Sequence, residues 1–251
     1  MNLQDKSKLY SIFRIKKPNG KTRVIMAPCE ELKSAQKKLA ERLNKITLSD
    51  HCYGFRKGFS VSDAVQQHMN KDWILKVDIK NFFPSITIDK LTFLSERERE
   101  IATLEGRLVQ GSPSSPVISN IVFRRIDNIL GKYFSSLDIS YTRYADDILI
   151  SGIGDYDKRY IKFITNVIGF HQYVVNDKKV KLMFKSDRMD ALGVTLNKDI
   201  PSCNRVKRRN IRATIHKEQE TNRELGYLSY VRSINLQQYD KLMTGLLIRQ
   251  S

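Results

Sequence analysis

Cysteine is scarce in this sequence, and long apolar runs are missing. The 251 residues hold three widely spaced cysteines with no C-x-x-C pair: Cys29, Cys52 and Cys203. This pattern fits reduced thiols and argues against a zinc site. The first residues lack the apolar core of a signal peptide, and no run approaches the length that spans a membrane. We therefore expect a cytoplasmic protein that does not enter a membrane.

Acidic residues are also few. There are 27 Asp and Glu against 44 Lys and Arg, a formal net charge of +17. Such an excess favours a polyanionic partner, of which nucleic acid is the commonest. A soluble protein with basic faces is the alternative. No repeat or low-complexity tract is present, and the length suffices for a core shared by two or three small lobes.

Acidic side chains are nevertheless clustered at one point. Asp146 and Asp147 stand between an alternating run and the apolar run 148–150, which predicts two short strands with the acids at their turn. The apolar run 73–79 predicts another strand, and it carries Asp78. If these strands are neighbours, three carboxylates meet and repel unless cations join them. All-oxygen ligation suits Mg²⁺, and two ions about 4 Å apart would activate a hydroxyl and stabilise a leaving phosphate. An ordinary Asp-Asp surface turn is the alternative.

Three motifs resemble those of reverse transcriptases. They are Y-A-D-D at 144–147, D-I-K-N-F-F-P-S-I at 78–86 and Q-G-S-P-S-S-P at 110–116, and they occur in the family's order. The Ala of the box and the F-F-P-S-I run are typical of the bacterial retron and group II intron branch. The resemblance implies an α+β right-hand polymerase fold. Its parts would be fingers at 1–72, a palm with an antiparallel sheet at 73–197 and a short helical thumb at 198–251.

The resemblance also assigns roles in a metal-dependent reaction. Asp78 and Asp146 would bridge two Mg²⁺ ions with Ile79 beside them, and Asp147 would support the ions or the primer end. Lys179 would give a proton to the departing pyrophosphate, and Lys178 and Lys181 are the alternatives for this role. The remaining implied contacts are, for the nucleotide, Lys21, Arg23, Phe83, Gln110 and Gly111, and, for the nucleic acid, Arg56, Lys57, Tyr144, Ala145, Gly193, Lys207, Arg208, Arg209 and Arg212.

Two of these roles have a stated physical basis. Lys21 and Arg23 belong to a basic hairpin that would grip the triphosphate, since Arg suits bidentate phosphate contact. Phe83 stands five positions after Asp78 and would pack beneath the incoming sugar. A ring there would collide with a 2′-hydroxyl and select deoxynucleotides. A solvated charged turn and a plain core residue are the respective alternatives.

Local signals predict the other elements. Ser60 is expected to cap a helix on which His68 packs in the core. Ser115, Pro116 and Gly131 are expected as the N-cap, first residue and stop of another helix. The further expectations, in chain order, are a hairpin over 10–28, helices over 30–46 and around 160–168, a strand over 173–175, a hairpin near 192–196, a linker over 197–204, a basic helix from 205 and helical sequence over 225–248.

The resemblance implies an RNA-directed DNA polymerase that uses Mg²⁺, deoxynucleoside triphosphates and a DNA or RNA primer. The expected template is a dedicated non-coding RNA, the expected role is defence against phage, and a partner protein or a homo-oligomer is expected. Two departures stand out: the segment between Ile86 and Gln110 lacks the N-A-x-x-H element of retrons, and Ala191–Gly193 replaces their V-T-G. A template-independent polymerase and an RNA-binding module with a retired active site are the alternative functions.

Overall fold

The computed structural model describes residues 6–16, 20, 22–197, 200–217 and 222–250. Its helices are α1 (Glu30–Leu43), α2 (Val61–Gln66), α3 (Glu96–Ala102), α4 (Ser115–Ser135), α5 (Arg159–Phe170), α6 (Arg205–Lys217), α7 (Asn222–Ile234) and α8 (Leu236–Gln250). Its strands are β1 (Tyr10–Lys16), β2 (Thr22–Pro28), β3 (Trp73–Asp78), β4 (Thr103–Leu104), β5 (Arg107–Leu108), β6 (Ser140–Tyr144), β7 (Asp147–Gly152), β8 (Lys181–Phe184), β9 (Asp190–Ala191), β10 (Val194–Thr195) and β11 (Ser202–Cys203). Short 3₁₀ helices lie at Lys6–Leu9, Ile88–Lys90 and Asp177–Lys179.

A four-stranded antiparallel sheet in the order β6-β7-β3-β8 organises the fold. Successive side chains of a strand point to opposite faces, and both faces of this sheet are covered. Leu75 and Ile148 face a core that includes α1, α4 and α5, whereas Ile74 and Leu149 face one that includes α2 and the C-terminal helices. This two-sided burial explains why β3 and β7 read as continuous apolar runs. The expected α+β fold with an antiparallel sheet is confirmed.

The expected boundaries of α4 need two corrections. The hydroxyl of Ser115 donates to the Val109 carbonyl (2.8 Å), so it does not cap the helix, which begins at Ser115 itself. Gly131 was expected to stop the helix, yet the helix continues to Ser135. A Cβ on Gly131 would lie 2.1 Å from the ring of His51. The glycine therefore provides room for a packed histidine, and its local stop signal is overridden by tertiary packing.

The other local expectations have mixed outcomes. The hairpin over 10–28 is present as β1 and β2, and Ser60 caps α2 in a capping box with Asp63. The helix expected over 30–46 ends at Leu43. The prediction of a strand over 173–175 is wrong. In that segment Val175 alone forms a bridge, with Ile79, and the strand that pairs with β3 on the side away from β7 is β8. The linker expected over 197–204 contains β11, which pairs with β10.

Away from the central sheet, fewer side chains are buried. Tyr10 is the one buried residue of strand β1, and it joins a small core with Leu32, Leu104 and Val109. At the other end, α6, α7 and α8 pack beside the short β9–β11 sheet, where a thumb is expected. The domain boundaries themselves stay a prediction. Within the described ranges, none of the helices combines the length and the apolar character needed to cross a bilayer.

Candidate active site at the edge of the central sheet

The turn between β6 and β7 is fixed by a buried ion pair. Ala145 takes the left-handed conformation (φ 57°) that a tight turn requires. The Arg143 guanidinium donates to the Ala145 carbonyl (3.0 Å) and to both oxygens of Asp127 on α4 (2.8 Å), all three residues being buried. Asn120 accepts a further bond from Arg143, and the Tyr141 hydroxyl donates to Asp127 (2.8 Å). The turn is thereby tied to α4.

Charge pairing decides the protonation of this cluster. Burial alone would lower the pKa of Arg143, but the Asp127 carboxylate raises it above its ordinary value. The Tyr141 pKa is likewise raised, by burial and then by Asp127. Arg143 is therefore charged at every working pH, and Asp127 compensates it. A buried pair of this kind is tolerated because further hydrogen bonds satisfy both partners.

A glycine lets a second loop seat against the turn. A Cβ on Gly54 would lie 2.5 Å from the Ala145 nitrogen, closer than backbone atoms permit. The Gly54 carbonyl accepts from the Asn120 amide (2.8 Å), and the Tyr53 amide donates to the Arg143 carbonyl (2.9 Å). Residues 54–58 form a loop with the sequence G-F-R-K-G. This G-F-R-K-G loop and the Y-A-D-D turn consequently form one packed unit.

The register of β3 and β7 brings the three acids together. Asp78 is the antiparallel partner of Asp147, and the Ile79 amide donates to the Asp146 carbonyl (2.9 Å). Burial raises the pKa of Asp147, Lys76 opposes that shift, and the charges of Asp146 and Asp78 add to it. The negative charges of Asp146 and Asp78 thus act on the Asp147 carboxyl.

Lysines hold two of the three carboxylates. The Lys179 ammonium contacts one oxygen of Asp78 (2.5 Å), and the Asn176 amide donates to the other (2.9 Å). Lys76 pairs with Asp147 at 2.9 Å. The Asp146 side chain has no hydrogen-bond or ion-pair partner among the described residues. Of the three carboxylates, Asp78 and Asp147 are therefore compensated by lysines within the described residues, and Asp146 is not.

The carboxylates of Asp78 and Asp146 are groups that could bind a metal ion. Across the described residues, no three Asp, Glu, His or Cys side chains are close enough as positioned to enclose a metal. Mg²⁺, however, keeps several waters and is commonly held by one or two carboxylates plus substrate phosphates. Asp78 and Asp146 line the same cavity and supply such a pair. The residues therefore fit a divalent ion that binds together with a phosphorylated substrate.

The cavity at these carboxylates has a volume of about 740 Å³. It gathers eight of the residues proposed from the sequence: Arg23, Asp78, Ile79, Phe83, Gln110, Ala145, Asp146 and Lys179. Lys178, the alternative to Lys179, also lines it. Phe55, Lys80 and Asn81 line the cavity as well, although the sequence analysis gave them no role. Lys80 and Asn81 follow Asp78 directly, so the motif itself could have indicated them. Phe55 comes from a distant segment, and no local signal placed it here.

Gly111, one of the proposed nucleotide contacts, does not line the cavity. Lys21 lies outside the described residues. Gly111 has φ 118°, and a Cβ on it would lie 2.5 Å from the Met26 carbonyl oxygen, while the Met26 amide donates to the Gln110 carbonyl (2.8 Å). We expected Gly111 to allow the close approach of a nucleotide. In the structure it allows the close approach of strand β2 of the hairpin.

The proposed template contacts in the G-F-R-K-G loop differ from each other. The Arg56 guanidinium donates to the carbonyls of Ser49 (3.0 Å) and Cys52 (3.3 Å) and lies 4.2 Å from the centre of the Phe59 ring. It is therefore committed to its own loop, whereas Lys57 is exposed. Lys57 is the better placed of the two for contact with a nucleic-acid backbone.

The proposed contacts at the C-terminal end also divide. The turn at Gly193 (φ 84°) lies beneath α7, where the Tyr230 hydroxyl donates to the Leu192 carbonyl (3.2 Å). Lys207 lies over the Tyr230 ring (4.9 Å) and is thus engaged within the protein. Arg208 is half-buried, like Tyr144 of the turn. The exposed arginines of α6 recur at helical spacing and share one face: Arg205, Arg209 and Arg212.

Comparisons with known proteins identify the family. A family model described as "Reverse transcriptase (RNA-dependent DNA polymerase)" matches residues 15–196. The chain is 29% identical to the Escherichia coli retron Ec86 reverse transcriptase, covering 94% of this chain and 79% of that protein. It is 28% identical to the Myxococcus xanthus retron Mx65 reverse transcriptase, covering 93% of this chain and 63% of that protein. These similarities persist although the N-A-x-x-H and V-T-G elements are missing.

Solved structures support the fold. A foamy viral protease-reverse transcriptase in complex with double-stranded DNA has a TM-score of 0.54 at 16% identity, over 89% of this chain and 36% of that one. The foamy viral protease-reverse transcriptase in complex with an RNA/DNA hybrid has a TM-score of 0.51 at 18% identity, over 89% of this chain and 27% of that one. The chain thus spans about a third of each of these viral chains, and 79% and 63% of the two bacterial relatives. It belongs to the reverse transcriptase family of RNA-directed DNA polymerases.

Proposed function

We propose that the protein copies a dedicated non-coding RNA into DNA by metal-dependent nucleotidyl transfer. The observation that carries the proposal is the cavity in which Asp78 and Asp146 meet Arg23, Gln110 and Phe83. The two acids offer oxygen ligands, whereas Arg23, Lys80 and Lys178 surround the same space with positive charge. A triphosphate accompanied by divalent cations complements that arrangement of both signs.

The acids and Lys179 carry the chemistry in this proposal. Divalent ions, when bound, lower the pKa of the primer hydroxyl and stabilise charge on the leaving phosphate. The Asp146 side chain has no partner in the described part of the chain, and the β6–β7 turn that carries it is tied to α4, so it is preorganised as a ligand. Asp78 would be the second ligand, in place of its present contact with the Lys179 ammonium. Lys179, which lines the same cavity, would then be placed to give a proton from its Nζ to the departing pyrophosphate.

Asp147 has a different place. Asp147 is not among the residues that line the cavity, and its carboxylate pairs with the Lys76 ammonium of the neighbouring strand β3. Asp147 therefore supports the primer end, or the ions from outside, and Asp78 and Asp146 are the main ligands. Lys76 is its positioning residue, since a charge-assisted contact at 2.9 Å fixes the carboxylate.

Substrate positioning follows from the neighbouring side chains. Arg23 binds the triphosphate, Gln110 orients the base or the sugar, and Phe83 closes the space at the 2′ position so that deoxynucleotides are preferred. The exposed basic side chains, Lys57 and the arginine face of α6, contact phosphates of the template-primer duplex. Such contacts give affinity that is independent of sequence and falls with salt.

The biological setting is part of the proposal. Curated relatives are named as retron reverse transcriptases, which supports a structured non-coding RNA as template. A role in defence against phage rests on the resemblance to that branch. All three cysteines are free, which is compatible with a cytoplasmic location.

Primer extension on a heteropolymeric RNA template tests the proposal. Purified protein, Mg²⁺ and four deoxynucleotides should give full-length DNA, and omission of one nucleotide should stop synthesis at its first complement. Asp78→Asn protein should give no product. Products that ignore the omission would indicate template-independent synthesis. Tight RNA binding without any product would indicate a binding module and would contradict the proposal.

A further inference from the structure

Phe55 occupies a backbone conformation that bulky residues avoid. Its φ is 58°, in the left-handed region where a non-glycine side chain is strained by about 1–3 kcal/mol. The preceding residues hold it there, because Gly54 is wedged against Ala145 and its carbonyl is bonded to Asn120. The loop thus forces a phenylalanine into a conformation that glycine would adopt more easily.

The strained position brings the Phe55 ring to the cavity. The side chain is 45% exposed, so core packing does not explain the choice of a large apolar residue. Its ring lines the cavity, and the ring centre lies 6.0 Å from that of Phe83, with an angle of 33° between the planes. Strain together with an exposed ring at the site indicates a role in function.

Phe83 lies between two rings. Its other neighbour is Phe82 at 5.4 Å, and Phe82 packs on the buried Phe123 at 5.0 Å. A row of four rings therefore runs from the core to the cavity, and Phe55 is its outer end. Without Phe55, the ring of Phe83 would be supported from one side alone.

We propose that Phe55 is a positioning residue that holds the Phe83 ring against the cavity and so sharpens discrimination against nucleotides bearing a 2′-hydroxyl. This inference rests on the proposed polymerase function and on the sugar-facing role of Phe83. Two rings at this separation attract each other in addition to their apolar contact, so Phe55 stabilises the position of Phe83. Because Gly54 ties the same loop to the Y-A-D-D turn, the position of the outer ring is set by the backbone that also sets Asp146.

Single-nucleotide incorporation from matched deoxy- and ribonucleotides measures this discrimination as a ratio of kcat/KM values. Phe55→Gly is the main variant, because glycine adopts the local φ without strain and the fold should be kept. We expect the ratio to fall about three- to tenfold, through faster ribonucleotide incorporation. Phe83→Ala should lower it further, and Phe55→Tyr, which keeps the ring, should retain the parent ratio.

Phe59→Gly is the matched control. This aromatic residue belongs to the same loop and is 39% exposed, but it packs on Tyr53 and Arg56 and does not line the cavity. Its replacement should leave the ratio unchanged. A parent-like ratio in Phe55→Gly protein would overturn the inference, as would an equal fall in both kcat/KM values. A parent protein that makes no DNA would overturn the proposed function itself.

Discussion

Two antiparallel strand pairs of this protein are built in opposite ways. At the β6–β7 turn, Tyr141 and Arg143 are buried and bonded to a buried acid of α4. In the β1–β2 hairpin, every residue of β1 after Tyr10 is exposed. An isolated two-stranded hairpin is marginally stable in water, so this one depends on contacts at its base. The comparison teaches that the turn bearing Asp146 and Asp147 is fixed by buried contacts of the fold, whereas the β1 strand of the hairpin contributes little to the core.

The largest expected effect comes from removing the buried ion pair at the β6–β7 turn. Arg143→Met leaves the Asp127 carboxylate buried without its counter-charge, and we expect a loss of about 3–5 kcal/mol in the free energy of unfolding. Urea denaturation measures it. The control is Arg14→Met in β1, an exposed arginine whose loss should change stability by less than about 0.5 kcal/mol. Equal effects of the two variants would contradict the comparison.

A glycine pair in one loop tests the contact between the loop and the turn. Gly54→Ala introduces a Cβ into the backbone at Ala145 and should cost about 1–3 kcal/mol, with a loss of primer extension as the turn shifts. Gly58→Ala meets nothing within 4 Å and changes only a residue with φ 82°. It should cost about 1 kcal/mol from backbone strain and leave the activity in place. Denaturation and primer extension on both variants decide the point; an active Gly54→Ala enzyme would show that the contact is dispensable.

The buried histidine behind the turn predicts a pH dependence. His68 bonds Ser151 and Thr142 and is fully buried; burial, reinforced by the charge of Lys71, lowers its pKa to about 3. The unfolded chain therefore binds the proton first, near pH 6.5. The stability contribution is complete above that pH and is lost as the pH falls from 6.5 towards 3.

At pH 5 the loss should be about 2 kcal/mol relative to pH 7. Denaturation of the parent protein and of His68→Gln at the two pH values measures it, since glutamine does not titrate. A parent protein whose stability changes with pH no more than that of the variant would contradict a buried neutral histidine.

The smallest expected effect lies on the open side of the comparison. Ile12 is 62% exposed on β1, and Ile12→Ser should change the free energy of unfolding by less than about 0.5 kcal/mol. The equivalent replacement in β7, Ile148→Ser, removes a fully buried side chain and should cost more than about 3 kcal/mol. Denaturation of the two variants measures the contrast. A large loss in Ile12→Ser protein would mean that the hairpin face is covered in solution.

The pairing of Asp78 with Asp147 at the ends of β3 and β7 was predictable because its signals are local. Continuous apolar runs predict β3 and β7, and their pairing is the simplest arrangement for two buried strands, so Asp78 and Asp147 become neighbours. The hairpin and the Ser60 cap were likewise visible in short windows of sequence. For these features, local propensity and tertiary structure agree.

The supporting interactions could not be predicted in the same way. Arginine is rarely buried, and the partner of Arg143 is on another element, so no pattern in the strand indicates the pair. The contact of Lys179 with Asp78 joins residues 101 positions apart. Gly131 signals a helix stop locally, but the ring of His51 fills the space that its missing side chain leaves. Each of these depends on which surfaces meet, and that information is not local.

Asp146, held by the β6–β7 turn, is proposed as a metal ligand of the polymerase active site. Single-nucleotide incorporation on a primed RNA template measures that role in Asp146→Asn protein, with Asp155→Asn as the control, because Asp155 is an exposed acid beyond the other end of β7. We expect the incorporation rate to fall about a thousandfold or more for Asp146→Asn, with parent-like stability, and not to fall for Asp155→Asn. A folded Asp146→Asn protein that incorporates nucleotides at the parent rate would contradict it.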